Sequence, residues 1–200
     1  MKNREAVHKT GRVAGFTLVE LMVTVAVVAI LLAVGAPQLR TFIQKQQVNG
    51  DLQALASAIT LARTEALKRS ANVSLCPLPA SGNHECANAA SDWSHGWMVF
   101  VDPPSTAATT NDYDPDTDTL LRVDDQVRSA SIASNSNHST ITYRANGLAL
   151  GTFQTFSLNA GEAGGGAPCR QLVMSAQGSL RQSGCSSTTT TTTTDTGSTQ

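Results

Sequence analysis

Four cysteines and a run of alternating aspartates are the residues of this chain best suited to chemistry. The cysteines are Cys76, Cys86, Cys169 and Cys185. They permit three disulfide pairings. Joining Cys76 to Cys86 and Cys169 to Cys185 closes two short local loops, and a loop of ~15 residues is worth roughly 3 kcal/mol in the chain-entropy account. The rival use is a metal site from Cys76, His84 and Cys86, which lacks a paired C-x-x-C half. The run Asn111 to Asp118, N-D-Y-D-P-D-T-D, places Asp112, Asp114, Asp116 and Asp118 at alternate positions. Hard oxygen ligands at that spacing suit calcium. An EF-hand loop beginning at Asp112 would need glycine at Thr117 and glutamate at Val123, and it has neither. A solvated acidic loop is the plainer reading, and no metal is expected.

Catalytic signals are weak. His8, His84, His95 and His138 stand beside no nucleophile motif, and there is neither a P-loop nor a dinucleotide fingerprint. The chain reads as a non-enzyme without a cofactor. Trp93 and Trp97 flank Gly96 and offer two readings, an exposed stacking platform or core packing, the second being the commoner fate of tryptophan.

A different chemical problem lies near the N-terminus. From Phe16 to Ala36 the chain runs through 21 residues of which Glu20 alone is ionisable. About 20 apolar residues are enough for a membrane-spanning helix. A charge at the centre of such a helix costs roughly 2.5–3.5 kcal/mol, less near an end. Glu20 therefore either snorkels at the interface or needs a partner. The preceding residues 1–15 carry Lys2, Arg4, Lys9 and Arg12 against Glu5. A basic segment before an apolar run leaves the N-terminus in the cytoplasm, so the part after Ala36 is expected outside the inner membrane, where disulfides are favoured. The apolar run is longer than a secretory signal core, and no A-x-A-like site follows it closely.

The whole chain has a formal net charge of −1, and without residues 1–15 it keeps 10 basic and 14 acidic residues, for a net of −4. That balance argues against a broad phosphate-binding surface.

Certain elements must position these residues. Val48, Leu52, Leu55, Ile59, Ala62 and Ala66 form one apolar stripe at helical period, with Arg40, Lys45, Asp51, Arg63, Lys68 and Arg69 mainly off it. The pattern predicts one helix from about Phe16 to about Arg69, roughly 80 Å long at ~1.5 Å per residue, with Pro37 and Gly50 as the places for a kink. The small residues of the stripe suit packing under a sheet better than a coiled-coil seam. After Ser70 the period becomes two. Candidate strands are Asn72–Leu75, Gly96–Val101, Thr119–Val123, Ser139–Tyr143, Phe153–Asn159 and Gln171–Ser175. A long helix followed by short strands implies an α+β domain with the outer helix half on a mainly antiparallel sheet. The tail, residues 186–200, holds seven consecutive threonines, Thr188 to Thr194, has nothing apolar to bury and is expected to be disordered.

Gly15-Phe16-Thr17-Leu18-Val19-Glu20, between a basic leader and an apolar run, resembles the prepilin signal of type IV pilins and type II secretion pseudopilins. The later segments resemble the GspH/FimT family of minor pseudopilins and minor pilins. They are Ala62-Arg63-Thr64-Glu65-Ala66, Val73-Ser74-Leu75-Cys76, Asp92-Trp93-Ser94-His95-Gly96-Trp97-Met98-Val99-Phe100-Val101-Asp102, Ile141-Thr142-Tyr143-Arg144-Ala145-Asn146-Gly147, and Leu172-Val173-Met174-Ser175 leading to Gly178. The resemblance runs from Gly15 to about Cys185.

It implies cleavage after Gly15 by a prepilin peptidase and N-methylation of Phe16. Glu20 would then pair with the new amine of a neighbouring subunit. The implied organisation is a leader at 1–15, a transmembrane helix at 16–36, the periplasmic half of the helix at 37–70, a β-rich head at 71–185 and the tail. The implied partners are other pilins or pseudopilins, the inner-membrane assembly platform and membrane lipid. The implied role is a structural subunit at or near the tip of a type IV pilus or a type II secretion pseudopilus, crossing the inner membrane once with its head in the periplasm. The alternative is DNA capture for natural transformation. DNA-binding relatives resemble one another in a G-R-x-R motif; here Gly178 and Arg181 match it while Ser179 replaces the first arginine. Arg144, Arg170 and Arg181 are the candidate contacts on that reading, and ordinary solvated arginines the alternative.

Overall fold

The computed structural model describes residues 15–87, 92–102, 113–136, 140–150, 153–161 and 167–185, with 34–37 as backbone only. Most of the expected leader, the tail from 186, His138 and Asp112 lie outside the described residues. The chain divides into two compact units, one ending at Arg40 and the other beginning at Thr41.

Helix α1 (Leu18–Arg69) contributes to both units. Its start is a T-x-x-E sequence: the Thr17 hydroxyl accepts the Glu20 N–H at 3.2 Å, which satisfies one of the free donors of the first turn. Glu20 also places a negative charge near the positive end of the helix dipole. At the other end Lys68 and Arg69 complement the dipole and both pair with Glu65. The Arg69 and then the Lys68 hydrogen bond hold the Glu65 carboxyl below its usual range. Ser70 closes the helix in the left-handed conformation (φ 51°), and the Ala71 N–H reaches back to the Ala66 carbonyl. Gly50, expected to disturb the helix, does not interrupt it. Pro37 falls where only backbone is described.

Among the described residues nine strands follow: β1 (Asn72–Pro77), β2 (Trp97–Asp102), β3 (Thr119–Asp124), β4 (Ser131–Ser134), β5 (Ile141–Tyr143), β6 (Ala149–Leu150), β7 (Gln154–Asn159), β8 (Cys169–Met174) and β9 (Leu180–Gly184). They form two sheets rather than the one expected, ordered β3-β2-β1-β5-β6 and β4-β7-β8-β9, and every named pairing is antiparallel. Strands β4, β6 and β9 have no counterpart in the sequence reading.

The stripe of α1 makes the core. Val48, Leu52, Leu55, Ala58, Ile59, Ala62 and Ala66 pack with Val73, Leu75, Trp97, Val99, Ile141 and Tyr143 of the first sheet. They also pack with Ile132, Phe156, Leu158, Leu172 and Met174 of the second. The second sheet is one-sided, as the strict alternation of buried and half-buried residues along β7 records. The first sheet is covered twice near β1, because Cys76, Leu78, Met98 and Phe100 make a smaller cluster on its other face.

Candidate functional site

In the first unit the apolar run of α1 is exposed. Leu18, Leu21, Val25, Ile30 and Leu31 are each at least 60% exposed, and Phe16 is 83% exposed. Leu18–Ala33 and Gln38–Arg69 meet a length-and-composition test for a membrane span only when taken together; among the described residues no single helix does so. Thr24 donates its hydroxyl to the Leu21 carbonyl at 2.8 Å, so this polar group is satisfied within the helix. Glu20 is exposed in the first turn, and among the described residues no hydrogen bond or ion pair involves its carboxylate. Gly15 and Phe16 precede the helix and are exposed.

In the second unit the same helix carries a carboxylate in the opposite situation. Asp51 is 6% exposed. One of its oxygens accepts the Arg128 N–H at 2.9 Å, the Ser129 N–H, and the Ser129 hydroxyl at 2.6 Å. Three donors from the β3–β4 connection satisfy a buried charge that would otherwise be costly, and they clamp that connection onto α1. Sequence reasoning set Asp51 off the stripe. The signal was present, since Asp51 stands three residues after Val48 and four before Leu55.

The cysteines pair locally. Cys76 bonds Cys86 and Cys169 bonds Cys185, with Cα atoms 5.5 and 5.6 Å apart. Those bonds consume both sulfurs of the rival Cys76–His84–Cys86 metal site. The first bridge closes the smaller cluster and the second ties the start of β8 to the residue after β9.

The tryptophan segment is a turn that joins the two sheets, not a stacking platform. Trp93 and Trp97 are 0% and 1% exposed. Asp92 accepts the Ser94 N–H, the Ser94 hydroxyl accepts the Ile132 N–H, and the Trp93 N–H donates to the Ile132 carbonyl. Burial pushes the Asp92 carboxyl up, but hydrogen bonds from Ser94 and the nearby His95 outweigh it and hold it low. Trp93 meets the Phe156 ring edge-on, while Trp97 donates its indole N–H to Asp124 at 2.9 Å. Gly96 between them has φ +103°, and a Cβ there would lie 2.1 Å from the Asp124 carbonyl oxygen. Asp124 in turn pairs with Arg122, whose other arm reaches Ser57 on α1.

The aspartate run is wound on itself. Asp114 accepts the Asp116 N–H at 3.0 Å, and Asp118 accepts the Asp114 N–H at 2.9 Å. Tyr113 packs edge-on against Phe100. Among the described residues no cluster of three or more potential ligands is arranged for a metal. Asp102, at the end of β2, is raised by burial and then by the charge of Asp118.

The three candidate arginines do not converge. Arg144 sits in the β5–β6 turn, where its backbone pairs with Leu148 and Gly147. Arg170 lies opposite Gly184 and Arg181 opposite Val173. Paired residues share a face and successive residues alternate, so Arg170 and Arg181 point to opposite faces of their sheet. Arg63 of α1 does approach the Gly178–Leu180 turn, lining a recess of about 270 Å³ with Thr60, Tyr143 and Ser179. Tyr143 lies under that turn with its hydroxyl 3.2 Å from the Gly178 carbonyl, and burial, partly offset by Arg63, pushes its pKa up to about 12. Gly178 has φ +76°, and its missing Cβ leaves room for the Tyr143 ring.

Comparison with known proteins places this architecture. Residues 51–178 match the family model described as type II transport protein GspH, and residues 11–36 match the prokaryotic N-terminal methylation motif. Comparison with curated proteins gives no match. Among solved structures the chain is similar to two crystal structures of the type IV minor pilin FimU of Pseudomonas aeruginosa. One is 21% identical, covers 71% of this chain and 92% of that one, and has a TM-score of 0.49. The other is also 21% identical, covers 66% and 88%, and has a TM-score of 0.45. With more than half of its length matched by one family model and an N-terminal methylation motif before it, the chain belongs to the GspH/FimT family of minor pseudopilins and minor pilins.

Proposed function

We propose that this minor pilin or pseudopilin spans the inner membrane once through residues 16–36, with its N-terminus cytoplasmic and its head periplasmic. It is cleaved between Gly15 and Phe16 and methylated on Phe16. It then assembles through α1 at or near the tip of a type IV pilus or type II secretion pseudopilus. One observation carries the reading: the first half of α1 exposes its apolar residues on all sides and holds a carboxylate without a described partner. Such a surface is stable in lipid or against other apolar helices, not in water. A new amine at Phe16 on a neighbouring subunit would give Glu20 its counter-charge. The partners on this reading are the prepilin peptidase, other pilins or pseudopilins, the assembly platform and lipid.

Intact-mass analysis of the membrane-extracted chain tests the first part; a mature form beginning elsewhere than at methylated Phe16 refutes it. For the second part, Glu20→Ala is expected to leave membrane insertion intact and to deplete the subunit from sheared filaments. Equal amounts of variant and wild type in those filaments would sink the assembly role of Glu20.

A second reading, DNA capture, has one observation in its favour: Arg63 lines the recess at Ser179, where the relatives' first arginine is missing. The divergence of Arg170 and Arg181 and the net charge of −4 without residues 1–15 speak against it. Weak or undetectable binding of labelled duplex DNA at physiological salt is expected. Micromolar affinity abolished by Arg181→Ala would reverse the order of the two readings.

A further inference from the structure

Lys45 and Asn49, one turn apart on α1, line a recess of about 300 Å³ together with Pro168, Cys169 and Arg170. Two cations and an amide face this space, and among the described residues no carboxylate lines it. The fold explains how they meet. Arg170 lies on the same face of β8 as Leu172 and Met174, which are buried in the core. The apolar stripe of α1 begins only at Val48, so at the level of Arg170 the sheet meets polar helix residues instead. The Cys169–Cys185 bond fixes the strand end beside Arg170, and Gly184 opposite it contributes no side chain. Among the described residues neither Lys45 nor Arg170 forms an ion pair. Like charges gathered in one recess repel unless an anion lies between them.

The position of Lys45 says which anion. It follows Ala36 by nine residues, or ~14 Å along a helix at ~1.5 Å per residue. The headgroup layer is roughly 5–8 Å deep on each side of the hydrocarbon core, and a long lysine stem can reach back toward it.

We propose that the recess binds the headgroup phosphate of an anionic phospholipid in the periplasmic leaflet, Lys45 and Arg170 supplying the charge and Asn49 a neutral hydrogen bond. This rests on residues 16–36 spanning the membrane and on nothing about the filament. Basic residues at a bilayer surface attract anionic lipid; a recess adds a defined stoichiometry. Bound lipid would hold the head against the membrane until assembly withdraws the subunit.

The test is native mass spectrometry of the full chain in neutral detergent, titrated with phosphatidylglycerol and, in parallel, with phosphatidylcholine. One phosphatidylglycerol is expected to be retained in preference to phosphatidylcholine, with about fivefold weaker retention for Lys45→Gln or Arg170→Gln. Arg181→Gln, on the other face of the sheet, is expected to match wild type. If Arg170→Gln unfolds the head, the exposed Lys45→Gln carries the comparison. Equal retention of the two lipids overturns the proposal, as does unchanged retention in both variants. Displacement of the lipid by millimolar inorganic phosphate would identify a free-phosphate site and overturn it too. Alkaline carbonate extraction separates the causes: a chain released from membranes fails with the span itself, whereas an embedded chain without lipid preference fails here alone.

Discussion

Both halves of α1 carry leucines and a carboxylate among apolar neighbours, but the two are covered differently. Leu31 lies in the first unit and Leu55 in the second, and Leu31 is 66% exposed whereas Leu55 is fully buried. Each half also holds one carboxylate in an apolar setting. Asp51 has three donors from its own chain, and Glu20 has none described. Burial of an apolar side chain and satisfaction of a buried charge are demands that something must meet. In the outer half the two sheets meet them. In the inner half the described chain does not, and on the proposed reading lipid and neighbouring subunits would.

The sharpest way to break this comparison is to truncate one leucine in each half. Leu55→Ala is expected to cost the head about 2–5 kcal/mol in denaturant unfolding followed by tryptophan fluorescence, and Leu31→Ala none of it. Equal losses would mean that the inner half also has a partner within the chain.

The carboxylates give the next largest effect. Asp51→Ala strands three donors and is expected to destabilise the head by about 3 kcal/mol, whereas Glu20→Ala should leave the same unfolding curve unchanged. A stable Asp51→Ala variant would show that water replaces the clamp.

Tyr143 extends the test to pH. Its folded pKa of about 12 lies above the ordinary 10.0, so the folded head holds that proton more tightly than the unfolded chain. The associated stability is complete below pH 10 and is lost as pH rises through about 12. Tyr143→Phe is expected to cost about 1 kcal/mol at neutral pH and to flatten this alkaline decline. An identical decline in both proteins would refute the assignment.

Asp102→Asn has the smallest expected effect. Burial and Asp118 raise the Asp102 carboxyl, so ionising it at neutral pH opposes folding. Removing the charge is expected to stabilise the head by about 0.5 kcal/mol. The gain should fade as pH falls and the wild-type carboxyl protonates, and destabilisation at neutral pH would contradict it.

Much of this was legible beforehand because it rests on local pattern. Helix α1 ends at Arg69 where the apolar period ends, and β1, β2, β3 and β7 fall within a residue or two of the alternating segments. Strands β4, β6 and β9 were missed because they are short or polar. Leu180–Gly184 has a single apolar residue and becomes a strand only by pairing with β8. The resemblance around Gly178 and Arg181 suggests one patch of Arg144, Arg170 and Arg181, but strand register, a non-local quantity, sends Arg170 and Arg181 to opposite faces. Asp51 reads as a residue off the stripe because its burial depends on donors more than seventy residues away in sequence.

The sequence by itself determined the helix, its stripe, the order of most strands and the problem of a lone glutamate in an apolar run. All of these depend on residue type and spacing within one or two turns or one strand. Only the tertiary structure decided that the strands divide into two sheets around one helix, that both tryptophans are buried where the chain passes from one sheet to the other, and that Arg63 lines the recess at Gly178. Those outcomes depend on pairing between segments far apart in the chain. Their free energy comes from shared burial and complementary hydrogen bonds, which no single stretch of sequence contains.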